Sequence, residues 1–178
     1  MLASGGTDST ALMHFYKKRN ENVECLFIDY GQPSLKSERK SLIYFCNLYE
    51  YQYKVIQLGF EINSFNGGSY NCRNILFVLS AAGMINQTPA RIALGIHSGT
   101  EHFDCSKSFI NTTQQLLDGY FSGMVQLETP FLDFTKKDIY DYCFKQRINI
   151  AKTYSCELAN SNCGQCMSCL DREMLCVL

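Results

Sequence analysis

The first ten residues, Met1-Leu2-Ala3-Ser4-Gly5-Gly6-Thr7-Asp8-Ser9-Thr10, place a glycine turn between a short apolar strand and a helical pattern. Gly5 and Gly6 tolerate backbone angles closed to other residues and let the main chain approach a ligand. Their N–H groups, with those of the first helical turn, then face an anion such as a phosphate. Ser4, Thr7, Ser9 and Thr10 add hydroxyl donors. Asp8 has the wrong charge for a phosphate contact, so it reads as a Mg²⁺ ligand beside one. No Gly-Lys-Ser/Thr follows, which excludes the Walker loop. The plainer reading of the same residues is a glycine turn with a Ser/Thr/Asp helix cap.

Chemistry is also written into the other end of the chain. Cys156, Cys163, Cys166 and Cys169 have the spacing C-x6-C-x2-C-x2-C. Two-residue gaps turn successive thiolates toward one ion, and four thiolates close a tetrahedral Zn²⁺ site. Gly164 supplies the freedom that a knuckle turn needs. Metal binding would contribute directly to the folding of a tail with little apolar content. Cys176, spaced C-x6-C from Cys169, competes with Cys156 for the fourth position. An iron–sulfur cluster is the competing metal reading. Cys25, Cys46 and Cys143 lie on apolar faces and read as small buried hydrophobes.

The elements that must position these groups alternate. Residues 8–19 form an amphipathic helix through Ala11, Leu12, Phe15 and Tyr16, with cations at its end. Val23–Tyr30 reads as a buried parallel strand, 37–50 as a helix and Tyr53–Leu58 as a strand. The stretch 59–72 is rich in Gly, Asn and Ser and reads as a long loop. An apolar helix over 74–86 and a strand over 91–96 follow, and then a polar segment, 97–104, containing His97 and His102. A helix over 105–121, a strand over 125–127 and a helix near 135–146 complete the pattern. This order predicts an α/β fold, a doubly wound parallel sheet of Rossmann-like type. The expected division is an α/β domain over 1–150 that carries the phosphate-binding loop and a four-cysteine tail over 151–178 packed on it. Ligands of such sheets bind beyond the carboxyl ends of the strands, where the first loop, Asp29–Gln32 and 97–104 all fall.

Composition bounds the partners. At 178 residues the chain suits one body with a real core, and 46% apolar with 19% charged residues is ordinary for a globular protein. A net charge of −1 argues against a general nucleic-acid surface. No apolar run suits a bilayer and no signal-peptide pattern precedes Ser4, so a cytoplasmic setting is expected. In a reducing compartment the ten cysteines point to metal rather than disulfides.

Ser4-Gly5-Gly6-Thr7-Asp8-Ser9 resembles the pyrophosphatase loop of enzymes that transfer AMP from ATP to a substrate oxygen. With both ends read, the chain is similar over nearly its full length to the 7-cyano-7-deazaguanine synthase family. The resemblance adds Phe27-Ile28-Asp29-Tyr30-Gly31-Gln32, Arg73-Asn74 and Asp104-Cys105. It also covers Pro130-Phe131-Leu132-Asp133-Phe134-Thr135-Lys136 and Thr153-Tyr154-Ser155-Cys156, then the clustered cysteines and Arg172.

The resemblance implies conversion of the carboxylate of 7-carboxy-7-deazaguanine to an amide and then a nitrile, with ATP and ammonia. It implies ATP, Mg²⁺ and Zn²⁺ as cofactors, and a homodimer. Ser4, Gly5, Gly6, Thr7, Asp8 and Ser9 would serve ATP and Mg²⁺, with Asp29, Tyr30, Gln32 and Asn74 also at the ligand. Lys136 would meet charge on the phosphates, where the plain alternative is a solvated lysine at a helix start. Arg73 would hold a carboxylate or phosphate, against a cation on a mobile loop. Asp104 would accept hydrogen bonds from a guanine-like edge, or simply cap the helix that follows. Asp29 would bind ribose or metal, or end a strand.

The chain departs from that family on the substrate side. It is shorter, its first strand is clipped to about three residues, the segment 97–103 is abbreviated, and Ser106 stands where arginine is usual. A shorter rim suits a rival resemblance, to family-like proteins of bacterial antiviral gene clusters that join a deazaguanine to a protein amine. A tRNA thiolase is disfavoured by near-neutral charge and by cysteines committed to metal. A non-catalytic nucleotide-binding or zinc interaction module is the reading from another class.

Overall fold

The computed structural model describes residues 1–62, 64–65, 69–100 and 102–176. Six helices are described: α1 Thr7–Lys18, α2 Leu35–Tyr49, α3 Arg73–Ala82, α4 Lys107–Phe121, α5 Lys136–Lys145 and α6 Met167–Leu175. The main strands are β1 Glu24–Asp29, β2 Gln52–Gln57, β5 Ala90–Ala93 and β6 Val125–Glu128, with short β3 Ser64–Phe65 and β4 Ser69–Tyr70 between β2 and α3. No helix among the described residues is long and apolar enough to cross a membrane.

β1 pairs in parallel with β2, and β5 in parallel with β6. Residues 1–3 join the two pairs. Leu26 N–H donates to Met1 O (2.8 Å) and Ala3 N–H to Leu26 O (2.9 Å), while Leu2 N–H donates to Ala93 O (2.9 Å). The order is therefore β2–β1–(residues 1–3)–β5–β6, with the shortest segment at the centre. Central parallel strands are covered on both faces, which is why β1 reads as a continuous apolar run.

Alternation sorts these side chains between two cores. Met1, Ala3, Cys25, Phe27 and Ala93 meet Leu12, Met13, Leu42, Phe45, Ile139 and Tyr140 from α1, α2 and α5. Leu2, Leu26, Ile28, Ile92 and Leu94 meet Val78, Ala81, Phe109 and Leu117 from α3 and α4. α1, α2 and α5 thus lie on one face, and α3 and α4, which flank β5 in the chain, on the other. The strand order reverses between residues 1–3 and β5, the place beyond the strands' carboxyl ends where sheets of this kind bind ligands.

The structure corrects several expected details. The stretch 59–72 is not a plain loop, because β3 and β4 pair antiparallel within it (Phe65 opposite Ser69); residues 63 and 66–68 lie outside the described set. The helix expected over 74–86 starts one residue earlier and stops at Ala82, and β5 stops at Ala93. The helix expected over 105–121 is two elements, a 3₁₀ turn over Phe103–Cys105 and then α4. Ser106 separates them and caps α4, its Oγ accepting from Phe109 N–H (3.1 Å). Asp104 is therefore not the helix cap.

The tail packs differently. Its own buried cluster is Cys156, Cys166 and Cys169, with Cys163, Tyr154 and Ala159 against it. A buried leucine or phenylalanine stabilises by about 1.5–3 kcal/mol, and this cluster contains none.

Candidate active site

The first loop is built tightly. Gly5 has φ +81°, and a Cβ there would lie 2.5 Å from Glu38 O and 2.7 Å from Leu42 N. Only glycine lets α2 approach so closely. Ser41 Oγ of α2 donates to Gly5 O (2.6 Å), and Gly5 N–H donates to Ser9 Oγ (3.1 Å). Ser9 Oγ donates on to Gly6 O (3.1 Å), and Gly6 N–H donates to Ser4 Oγ (3.2 Å). Ser4 and Ser9 thus spend hydroxyl capacity on shaping the loop. Gly6 occupies the N-cap of α1 without a side-chain cap, so the Ser/Thr/Asp capping alternative is not what the structure uses. The first bond into the helix is Thr10 N–H to Gly6 O (2.9 Å), so the earlier first-turn N–H groups have no partner within the helix and can meet an anion.

Asp8 sits in that first turn, and α5 brings Lys136 to it. Thr135 and Asp138 form a capping box that starts α5 at Lys136, while Ile139, Tyr140 and Cys143 bury its inner face. Lys136 Nζ then lies 2.8 Å from both Asp8 Oδ1 and Oδ2, with both side chains largely covered. Burial disfavours the ammonium charge, but the Asp8 carboxylate outweighs it and holds Lys136 above its ordinary pKa.

Gly95, just past β5, closes the other wall. A Cβ on it would lie 3.2 Å from Asp8 O and 3.4 Å from Ser9 N. His97 is buried two residues on, and its Nδ1 has no hydrogen-bond partner among the described residues. Burial pushes its pKa down, Asp8 raises it and Lys136 lowers it, which places all three in one electrostatic neighbourhood. His102 is exposed.

A second cluster gathers around Arg73. Its guanidinium lies 5.5 Å from the Tyr70 ring centroid, and Tyr70 packs edge-on against Tyr30 at 5.3 Å. Burial opposes the Arg73 charge, while Tyr30, Glu157 and Asp104 favour it, so three elements and the tail converge here. Burial pushes the Tyr30 hydroxyl up to about 12. Glu38 belongs to the same region. Burial raises its pKa, although Gln32 Nε2 (2.9 Å) and Ser34 Oγ (2.7 Å) both donate to it. Gln32 also accepts from Tyr30 N–H and donates to Ile28 O, so its amide braces the strand end. Asp29 Oδ1 accepts from Gly31 N–H (3.2 Å), as a strand-end turn residue does. Asn74 is buried in the first turn of α3.

The structure brings Ser4–Ser9 and Lys136 into one group, and Tyr30, Arg73 and Asp104 into another. Sequence reasoning missed Gly95, Glu38, Glu157 and Ser41. Gly95 had a signal, a glycine inside an apolar strand pattern. Glu38 and Ser41 had none, since they act through the α2–loop contact.

At the tail, the Sγ atoms of Cys156, Cys163, Cys166 and Cys169 all lie within 4.8 Å of one another. Four thiolates around Zn²⁺ at about 2.3 Å imply edges of about 3.8 Å, so this donor set fits a tetrahedral ion. Cys163 and Cys169 are 3.9 Å apart. Gly164 has φ +71°, and Cys166 N–H donates to Cys163 Sγ (3.3 Å), the geometry of a knuckle. N–H groups of Gln165 and Cys166 lower the Cys163 pKa and favour a thiolate. Cys176 is not one of the four. It ends α6 and packs toward the first core, so Cys156 takes the position left open by spacing.

The chain matches the family described as queuosine biosynthesis protein QueC over residues 1–70 and 69–175. A 7-cyano-7-deazaguanine synthase from Desulfotalea psychrophila is 26% identical over 198 residues, covering 97% of this chain and 90% of its own length. One from Prochlorococcus marinus is 27% identical over 202 residues with the same coverage. Among solved structures, an NH3-dependent NAD synthetase from Campylobacter jejuni matches 86% of this chain and 68% of its own at a TM-score of 0.42 and 17% identity. With the match extending from the glycine loop through the cysteine knuckle, this chain belongs to the queuosine biosynthesis protein QueC family.

Proposed function

We propose that this protein is an ATP-dependent C–N ligase that activates the carboxylate of 7-carboxy-7-deazaguanine and passes it to an amine. The observation that carries the reading is the Asp8–Lys136 pair at the mouth of the Gly5 loop, 2.8 Å at both oxygens. The names of the aligned relatives support the substrate class.

A carboxylate is a poor electrophile because its oxygen is a bad leaving group. In the proposed reaction a carboxylate oxygen attacks the α-phosphorus of ATP, the bond to pyrophosphate breaks and an acyl-adenylate forms. Ammonia adds to the acyl carbon, AMP leaves with the oxygen and a proton is lost, giving the amide. A second adenylation, now on the amide oxygen, followed by loss of AMP and a proton gives the nitrile. The chain's part is positioning and charge neutralisation. The open first turn of α1 takes phosphate oxygens, and the charged Lys136 stabilises the pyrophosphate as it departs. Asp8 would hold Mg²⁺, which supplies further neutralisation on the phosphates. Arg73 would hold the substrate's carboxylate, and Asp104 its guanine-like edge. Zn²⁺ would be structural, held by Cys156, Cys163, Cys166 and Cys169.

The test is mass spectrometry of a reaction with ATP, Mg²⁺, ammonium and 7-carboxy-7-deazaguanine. Amide or nitrile is expected, and both should vanish in Asp8→Ala. ATP consumed without either product, with a deazaguanine-sized mass on a co-expressed protein, would replace ammonia by a protein amine. No ATP consumption would overturn the ligase reading in favour of a binding module.

A further inference from the structure

The phosphate loop is held from the far end of the chain. Tyr154 N–H donates to Gly5 O (3.0 Å), beside the bond from Ser41. The Thr7 hydroxyl lies 3.2 Å from Thr153 Oγ1 and 3.3 Å from Ser155 Oγ, all three groups being covered or half-covered. Proton counting orients this chain. Thr153 has one hydroxyl proton, and its shortest contact is Ile150 O at 2.7 Å, an acceptor only. It therefore accepts from Arg172 Nη1 (3.1 Å) and from Thr7, which leaves Thr7 to accept from Ser155.

Both ends of the 153–155 segment are fixed by the cysteine knuckle. Cys156 follows Ser155 directly. Arg172 grips the carbonyls of Ile150 and Thr153 from α6, one turn beyond Cys169. α6 is otherwise weakly anchored. Cys169 is its one fully buried residue, while Met167, Leu170 and Met174 are exposed. Leu175 at the end of α6 packs half-buried against the first core, and Cys166 and Cys169 hold its start, so the orientation of α6, and with it Arg172, depends in part on the thiolate cluster.

The geometry points to the cysteine knuckle as a clamp on the phosphate loop, with Thr153 and Ser155 as positioning residues that set Thr7 for the triphosphate of a nucleotide. Metal at the four cysteines and nucleotide at Gly5–Ser9 are then coupled ligands, each favouring the other's site. This rests on the ATP-binding reading above and adds to it which residues preorganise the loop.

Two measurements on the full chain test it. The first needs no nucleotide. Amide hydrogen exchange over residues 3–10 should speed up in Thr153→Val and return to the wild-type rate in Thr153→Ser, with metal content by elemental analysis unchanged in both. The second is equilibrium dialysis with ATP and Mg²⁺. Thr153→Val and Ser155→Ala should each weaken ATP by on the order of three- to tenfold, as loss of one buried hydrogen bond implies. Thr153→Ser should recover it. Unchanged loop exchange and unchanged ATP affinity in a metal-replete Thr153→Val would overturn the clamp, as would failure of Thr153→Ser to rescue. If Thr153→Val does not fold, Ser155→Ala, whose side chain is half-exposed, decides alone. A wild-type chain that takes up no ATP would instead remove the function proposed above, while the exchange measurement still judges the clamp.

Discussion

Lys136 Nζ stands 2.8 Å from each carboxylate oxygen of Asp8, although 128 positions separate them in the chain. The pair spans the mouth of the loop, joining the first turn of α1 to the first turn of α5. Its two members offer the two charges that phosphoryl chemistry needs, an anion for a metal and a cation for phosphate oxygens.

Removing either partner should cost activity far more than stability. Asp8→Asn and Lys136→Met should each lower ATP-dependent turnover by about a hundredfold or more. Each leaves a partly covered charge alone, a cost of about 1–2 kcal/mol because some solvent remains. Pyrophosphate release and urea denaturation on the same preparations separate the two effects.

Two glycines with positive φ should respond differently to alanine. At Gly5 the new Cβ would press on backbone atoms of α2 at 2.5 and 2.7 Å, which cannot rotate away. Gly164, φ +71°, has nothing within 4 Å. Gly164→Ala should cost only the left-handed penalty, about 1–2 kcal/mol. Gly5→Ala should exceed that and distort the loop, read as a lower melting temperature and lost ATP binding.

Metal content should follow the four gathered thiols alone. Cys163→Ser and Cys166→Ser should lose the ion and destabilise the tail, whereas Cys176→Ser should retain it. Elemental analysis with limited proteolysis of the tail checks this. Metal retained in Cys163→Ser and lost in Cys176→Ser would reverse the assignment.

Ser106 and Asp104 should separate into stability and substrate effects. Ser106→Ala removes the α4 cap and should cost about 1 kcal/mol. Asp104→Asn should leave stability nearly unchanged and raise the KM for the deazaguanine. Equal losses of stability in the two variants would argue that Asp104 is structural.

Acid should destabilise the fold partly through His14. Burial, then Lys18, holds its pKa below the ordinary value, and its Nδ1 lies 2.9 Å from Tyr142 OH. As pH falls below about 6.5 the unfolded chain takes up a proton that the folded chain refuses. Stability is therefore lost from that pH downward until the folded imidazole also titrates. His14→Gln should flatten this slope in denaturation curves measured on either side of it.

The sequence alone determined the alternation of helices and strands, because the α1 and α2 stripes follow a period of 3.6 and β1 is a short continuous apolar run of the kind a strand buried on both faces requires. It also determined the glycine loop and the four-thiol spacing, since both are local: Gly5 must turn, and C-x2-C-x2-C must converge. Tertiary structure decided everything that joins distant segments. That Leu2 bridges β1 to β5, that Lys136 meets Asp8 and that Cys156 rather than Cys176 completes the cluster depend on how helices pack over the sheet. Gly95 marked itself as a glycine in an apolar strand pattern but not its partner Asp8, and the contacts of Ser41 with Gly5 and Thr153 with Thr7 left almost no mark in the sequence. A hydrogen bond or a close backbone approach needs only one small or hydroxylated residue on each side, and that carries no period to read.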